Sequence, residues 1–301
     1  MQNDGKTGQG WLLLKKTFLQ WWNHNTFRLA AALAFYTIFS LAPVLLIAVG
    51  IASIFFARES AIHQITSQIQ QLVGTEGANA VRQILHASSG IGRGARAIAI
   101  GLVTLFLGAS AVFMELQADL NQIWDVKPVP RRGLILDYIF DRLRSFSIAL
   151  AVGFLLLVSL VLSAALSGLQ DYMTVWMPAA PWLWQLLNTI VSFLLITVLF
   201  AAIYKYLPDA RVRWRDVWIG AAVTSLLFTI GKYLIGLYLG QTATASSFGT
   251  AGSFVVLLTW IYYSSLISFL GAEFTQVYAT RNGRTIEAEP HAVRVKDKQD
   301  Y

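Results

Sequence analysis

Residues 29–56 read LAAALAFYTIFSLAPVLLIAVGIASIFF, without one Asp, Glu, Lys or Arg. A soluble core helix alternates apolar and polar faces, whereas a segment that crosses a bilayer is apolar all round for about 20 residues. This stretch is of the second kind. Pro43 falls in its middle, after Ser40. A proline there removes one backbone donor, so Ser40 and Pro43 are a candidate helix break of the kind that membrane helices tolerate where neighbouring groups re-satisfy the backbone. The run is far longer than the apolar part of a signal peptide, and it is read as retained.

Five further runs follow, at about 97–119, 145–167, 183–204, 216–239 and 252–278. Composition agrees: 56% of the 301 residues are hydrophobic and 13% charged, against about 25% charged in soluble domains. The fold expected is all-α, a polytopic bundle of six transmembrane helices over 29–280. A cytoplasmic segment precedes it at 1–28, and a charged tail at 281–301, with no apolar period, is expected to be disordered.

Two stretches outside the spans carry helical patterns. In WLLLKKTFLQWWNHN, residues 11–25, the residues Trp11, Leu14, Phe18 and Trp21 recur at helical spacing beside Lys15, Lys16 and Gln20. An aromatic and basic helix of this kind lies in the headgroup layer. Between the first two spans, Ile62, Ile65, Ile69 and Leu72 form one apolar stripe. Val81, Ile84 and Leu85 form another beyond Gly74 and Gly77. Two short amphipathic helices are expected there, lying on the outer face or capping the bundle. The glycines at 90, 92 and 94 neither follow a strand nor precede a Walker lysine, so they are read as a link.

Lys and Arg give the orientation. One side holds Lys6, Lys15, Lys16 and Arg28 before span 1, and Lys127, Arg131, Arg132, Arg142 and Arg144 between spans 2 and 3. It also holds Lys205, Arg211, Arg213 and Arg215 between spans 4 and 5, and Arg281, Arg284, Arg294, Lys296 and Lys298 in the tail. Eighteen of the 23 basic residues thus share a side, and the other side has only Arg58, Arg82, Arg93 and Arg96. The positive-inside rule places both termini in the cytoplasm. The net charge of +7 is therefore explained by span flanks and needs no nucleic-acid partner.

Three segments resemble the YihY/virulence factor BrkB family of membrane proteins. They are Leu29 through Pro43 (LAAALAFYTIFSLAP), Tyr206 through Gly220 (YLPDARVRWRDVWIG), and the last span from Phe248 (FGTAGS) to Phe274 (GAEF). The likeness extends over about residues 10–280. It implies six spans in a bacterial inner membrane, a link by name to serum resistance, and a proposed transport role. The family also carries an older ribonuclease BN label.

An ionisable group at bilayer depth is a functional candidate by default. Those here are Glu115 near the inner end of span 2, Glu273 near the inner end of span 6, and Lys232 in the outer half of span 5. At about 1.5 Å per residue, Lys232 lies about 24 Å from the inner end and Glu273 about 8 Å. A direct pair between them is therefore too long. Glu115 and Glu273 share a depth, and with Arg142 or Arg144 they would line an inward-facing polar vestibule. The simpler alternative has each carboxylate snorkelling or capping its own helix. Lys232 can likewise snorkel outward. Gly236 and Gly240 make a small-xxx-small pair suited to close helix packing.

Catalysis has little to stand on. His24, His63, His86 and His291 are scattered, and the chain has no cysteine. No metal, cofactor or catalytic residue is expected, and the ribonuclease label finds no support in the residues. The function expected is a transporter or flippase-like protein for an ion, solute or envelope lipid, with a non-catalytic envelope-assembly scaffold as the alternative. Few charges fall inside the spans, which speaks against a steeply proton-coupled pump. The expected partners are membrane lipids and a transported substrate that the residues do not identify. A homo-oligomer is compatible with the small-residue faces.

Overall fold

The computed structural model describes residues 4–55, 57–88, 95–129, 143, 181–241, 250–281 and 284–295. Its helices are α1 (Asp4–Asn23), α2 (Thr26–Phe55), α3 (Arg58–Ser88), α4 (Ala95–Ile123), α5 (Pro181–Tyr206), α6 (Trp214–Gln241) and α7 (Thr250–Thr280). Four short strands accompany them: β1 (Val126–Pro128), β2 (Ala210–Arg211), β3 (Glu287–Ala288) and β4 (Ala292–Arg294). Among the described residues three helices are long and apolar enough to cross a membrane, at Thr189–Tyr206, Trp214–Ile235 and Gly252–Thr280. The pair Gly10–Asn23 and Thr26–Ala42, bent at the residues between, makes a fourth if read as one broken span. The expected span at 145–167 lies outside the described residues, as do Arg142, Arg144 and all of the connection expected at 168–182 but its last two residues, which begin α5.

α1 ends where Asn25 takes a left-handed backbone (φ 55), a conformation that asparagine tolerates better than most residues. The Thr26 hydroxyl then donates to the carbonyl of Trp21. α2 runs without interruption through Ser40 and Pro43, so the expected break is absent. The Ser40 hydroxyl donates to Thr37 O (2.9 Å) and that of Thr37 to Leu33 O (2.7 Å). These two hydroxyls are thus taken up by the helix itself.

The chain divides into two compact units. One comprises Trp21–Asp119 and Phe228–Phe269. Its core joins Ala34, Ile38, Leu45 and Val49 of α2 to Val73, Ala80, Val81 and Leu85 of α3, with Leu257 and Ile261 of α7. The helix α3 is two segments meeting at Gly74 (φ 83, ψ 178), a backbone open to glycine and strained for other residues. Ile62, Ile65, Ile69 and Ile84 pack against this core. The stripes read from the sequence are therefore spent on α2 and α7. Trp21 also turns inward: it is buried, and its Nε1 donates to Leu266 O at 3.3 Å. Trp11, Leu14 and Phe18 stay exposed, so the expected aromatic stripe loses its fourth member.

The other unit comprises Met1–Gln20, Leu120–Leu227 and Leu270–Tyr301. Within it β1 pairs antiparallel with β4, Val126 opposite Arg294 and Pro128 opposite Ala292. β2 pairs antiparallel with β3, Ala210 opposite Ala288 and Arg211 opposite Glu287. Residues 284–295, expected to be disordered, are ordered by this pairing. A charged segment with no apolar period still folds when two loops offer it backbone partners. The ends of α4, α5 and α7 and the start of α6 are thereby tied together.

Candidate functional site

α6 and α7 meet through matched small residues. Gly220 and Thr224 on α6, and Gly271 and Thr275 on α7, repeat one Gly-x-x-x-Thr spacing. A Cβ at Gly220 would overlap the Thr275 side chain, and a Cβ at Gly271 would overlap that of Thr224. Each threonine thus fills the space left by the other helix's glycine. The Thr224 hydroxyl donates to Gly220 O (2.8 Å) and that of Thr275 to Gly271 O (2.7 Å). Tyr204 of α5 reaches this contact, its hydroxyl 3.2 Å from that of Thr224. The spacing is visible in the sequence, beside the Gly236 and Gly240 pair.

Glu273 lies between Gly271 and Thr275 in the chain and is wholly buried. By helical periodicity it sits about 200° round α7 from Gly271, away from the glycine–threonine contact. Gln276, three residues on and on a neighbouring face, is buried too. Glu115 falls in the other unit. Its neighbour is Asp119, one helical turn further along α4, and both Glu115 and Arg28 act electrostatically on the Asp119 carboxylate. Asp119 is only 4% exposed, and its Oδ2 makes no hydrogen bond. Within this unit, then, Glu115 has Asp119 beside it, with Arg28 acting on the same carboxylate. Burial along α4 could not be read from spacing alone. Lys232 is partly exposed, its ammonium 5.4 Å from the ring of Tyr233, an arrangement that suits snorkelling.

Where the loops gather, Asp209 is the hub. It follows Pro208 at the end of α5 and is 2% exposed. Asn121 Nδ2 donates to its Oδ2 (2.8 Å), and its own backbone N–H donates to Asn121 Oδ1 (2.8 Å). His291 Nε2 lies 2.9 Å from its Oδ1. Glu289 N–H donates to its carbonyl (2.9 Å). One aspartate thus holds α4, the α5–α6 connection and the tail. Lys205 Nζ donates to Val212 O at 2.6 Å beside it. The Arg211–Glu289 ion pair (3.3 Å) is exposed, and Arg211→Gln is expected to lower stability by no more than about 1 kcal/mol in thermal unfolding.

An open groove of about 560 Å³ lies between the two segments of α3, bordered by Glu59, His63, Arg82 and His86. No group of three or more His, Cys, Asp or Glu able to hold a metal occurs among the described residues.

Long apolar helices, joined through a glycine–threonine contact, define a helical membrane protein. The family model for virulence factor BrkB matches residues 17–296, and the chain belongs to that family. A UPF0761 membrane protein of Albidiferax ferrireducens is 31% identical over 252 residues, covering 81% of this chain and 56% of the relative. One of Delftia acidovorans is 26% identical over 253 residues, covering 82% and 57%. One of Tolumonas auensis is 27% identical over 268 residues, covering 84% and 81%. The chain spans little more than half the length of the first two relatives. No solved structure matches.

Proposed function

We propose that the chain is a six-span protein of the bacterial inner membrane, both termini cytoplasmic, that moves an ion, solute or envelope lipid across the bilayer and is not an enzyme. The side assignment is supported by the strand pairs, which join segments that the Lys and Arg distribution puts on one face. The observation that carries the transport reading is Asp119. A buried carboxylate oxygen without a hydrogen bond is costly, and an intramembrane acid is retained where a pathway needs it. Glu273, wholly buried in a membrane-length helix, is a second buried acid.

The test is flux into proteoliposomes across a panel of ions, solutes and labelled lipids. Asp119→Asn and Glu273→Gln are each expected to reduce the rate at least tenfold, an effect of about 1.4 kcal/mol on the barrier. Asp119→Asn should leave thermal stability close to wild type, since the amide keeps the shape of a side chain whose Oδ2 makes no hydrogen bond. Rates equal to wild type in both variants would refute the assignment. The second reading, an envelope-assembly scaffold, draws on the close glycine–threonine contact and has both variants silent in every flux assay.

A further inference from the structure

At the end of α5 and the start of α6, three aromatic rings stay in the open. Tyr206, Trp214 and Trp218 are 56%, 44% and 44% exposed. They are not scattered. Tyr206 meets Trp214 edge to face at 5.8 Å. Trp214 and Trp218, one turn apart, lie 6.3 Å from each other with planes 31° apart. Lys205 Nζ sits 5.8 Å over the Trp214 ring, anchored by its bond to Val212 O. Arg213 and Arg215 flank Trp214 in the chain and are both exposed. Among the described residues neither has an acidic partner, whereas Arg211 is held by Glu289. The adjacent acid, Asp216, is buried.

We infer that this shelf is a binding site for an anionic phospholipid. A guanidinium fork matches the oxygens of a phosphate, and clustered Trp and Tyr rings rest at the level where glycerol and the first acyl carbons begin. A zwitterionic lipid brings an ammonium into the field of two exposed arginines; a phosphatidylglycerol headgroup does not. An acidic protein segment would satisfy the arginines but has no acyl chain to lay along three rings. The proposal rests on the membrane reading given above and not on transport.

The test uses the full chain in phosphatidylcholine nanodiscs, with tryptophan quenching by brominated phosphatidylglycerol against brominated phosphatidylcholine. Phosphatidylglycerol is expected to add a saturable component at low mole fraction. That component should vanish in W214F/W218F. In R213Q/R215Q it should shift to about 10- to 30-fold higher lipid fraction, with thermal unfolding unchanged. Equal quenching by the two lipids, or an R213Q/R215Q curve lying on the wild-type curve, overturns the site. Binding of polyglutamate in place of a lipid preference would give the shelf to a protein partner and overturn it equally. Loss of flux with the saturable component intact removes the transport reading alone; loss of the component with flux intact removes this site alone.

Discussion

Replacing Gly271 with alanine is expected to destabilise the bundle by about 2–3 kcal/mol, among the largest effects available to one methyl group in this chain. The added carbon would overlap the Thr224 side chain. Thr224 cannot swing aside cheaply, because it is β-branched and its hydroxyl is engaged by Gly220 O and Tyr204. The helices must part, and Gly220, which receives Thr275 one turn away, loses its contact as well. Gly220→Ala should therefore cost a similar amount, and the two together less than their sum, since both break one interface. Thr224→Gly should restore much of the stability of Gly271→Ala by vacating the occupied space, even though glycine in a helix costs about 1 kcal/mol by itself. The measurement is thermal unfolding in detergent, with membrane yield beside it. If Gly271→Ala matches wild type, or Thr224→Gly fails to rescue it, the close approach of α6 and α7 is not as described.

What could be read in advance follows from how local each signal is. The runs that became α2, α5, α6 and α7 needed only their own apolar length. The change of direction in α3 was legible because the two stripes lose phase at Gly74. Trp21 shows the limit of spacing: it lies within about 20° of Leu14 round the helix, yet Leu14 stays exposed while Trp21 is buried against Leu266. The repeated Gly-x-x-x-Thr spacing was on the page, but which residues face each other depends on the register between two helices, and no single-helix pattern encodes that. The tail was the largest miss, for the same reason. Residues 287–294 carry no apolar period, and their order comes from backbone groups of β1 and β2, far away in the chain. His291 looked like one of four scattered histidines until the fold carried it to Asp209. In α4 the acids were visible, but which of Glu115 and Asp119 would be buried was not.

Asp209→Ala should release that tail. The substitution removes both side-chain acceptors at once and leaves the Asn121 amide buried without its carboxylate. A hydrogen bond to a charged group contributes about 1.5–3 kcal/mol, and a buried donor left unmade adds its desolvation cost, so a loss of about 3 kcal/mol or more is expected. The consequence is local. β3 and β4 each pair with a loop through only two or three residues, and strands this short do not persist alone. Limited proteolysis should therefore cut between residues 281 and 295 much faster in Asp209→Ala than in wild type, while the apolar helices α5, α6 and α7 stay protected. Asp209→Asn should fall between the two: its single carbonyl can still accept from Asn121 or from His291, but its amide must then face the other donor. Asn121→Ala in the Asp209→Ala background should cost little more, because the donor stranded by the first change is the one the second removes. Tail cleavage in Asp209→Ala at the wild-type rate would mean that the strand pairs hold without their aspartate, and that Asp209 serves the loop rather than the tail.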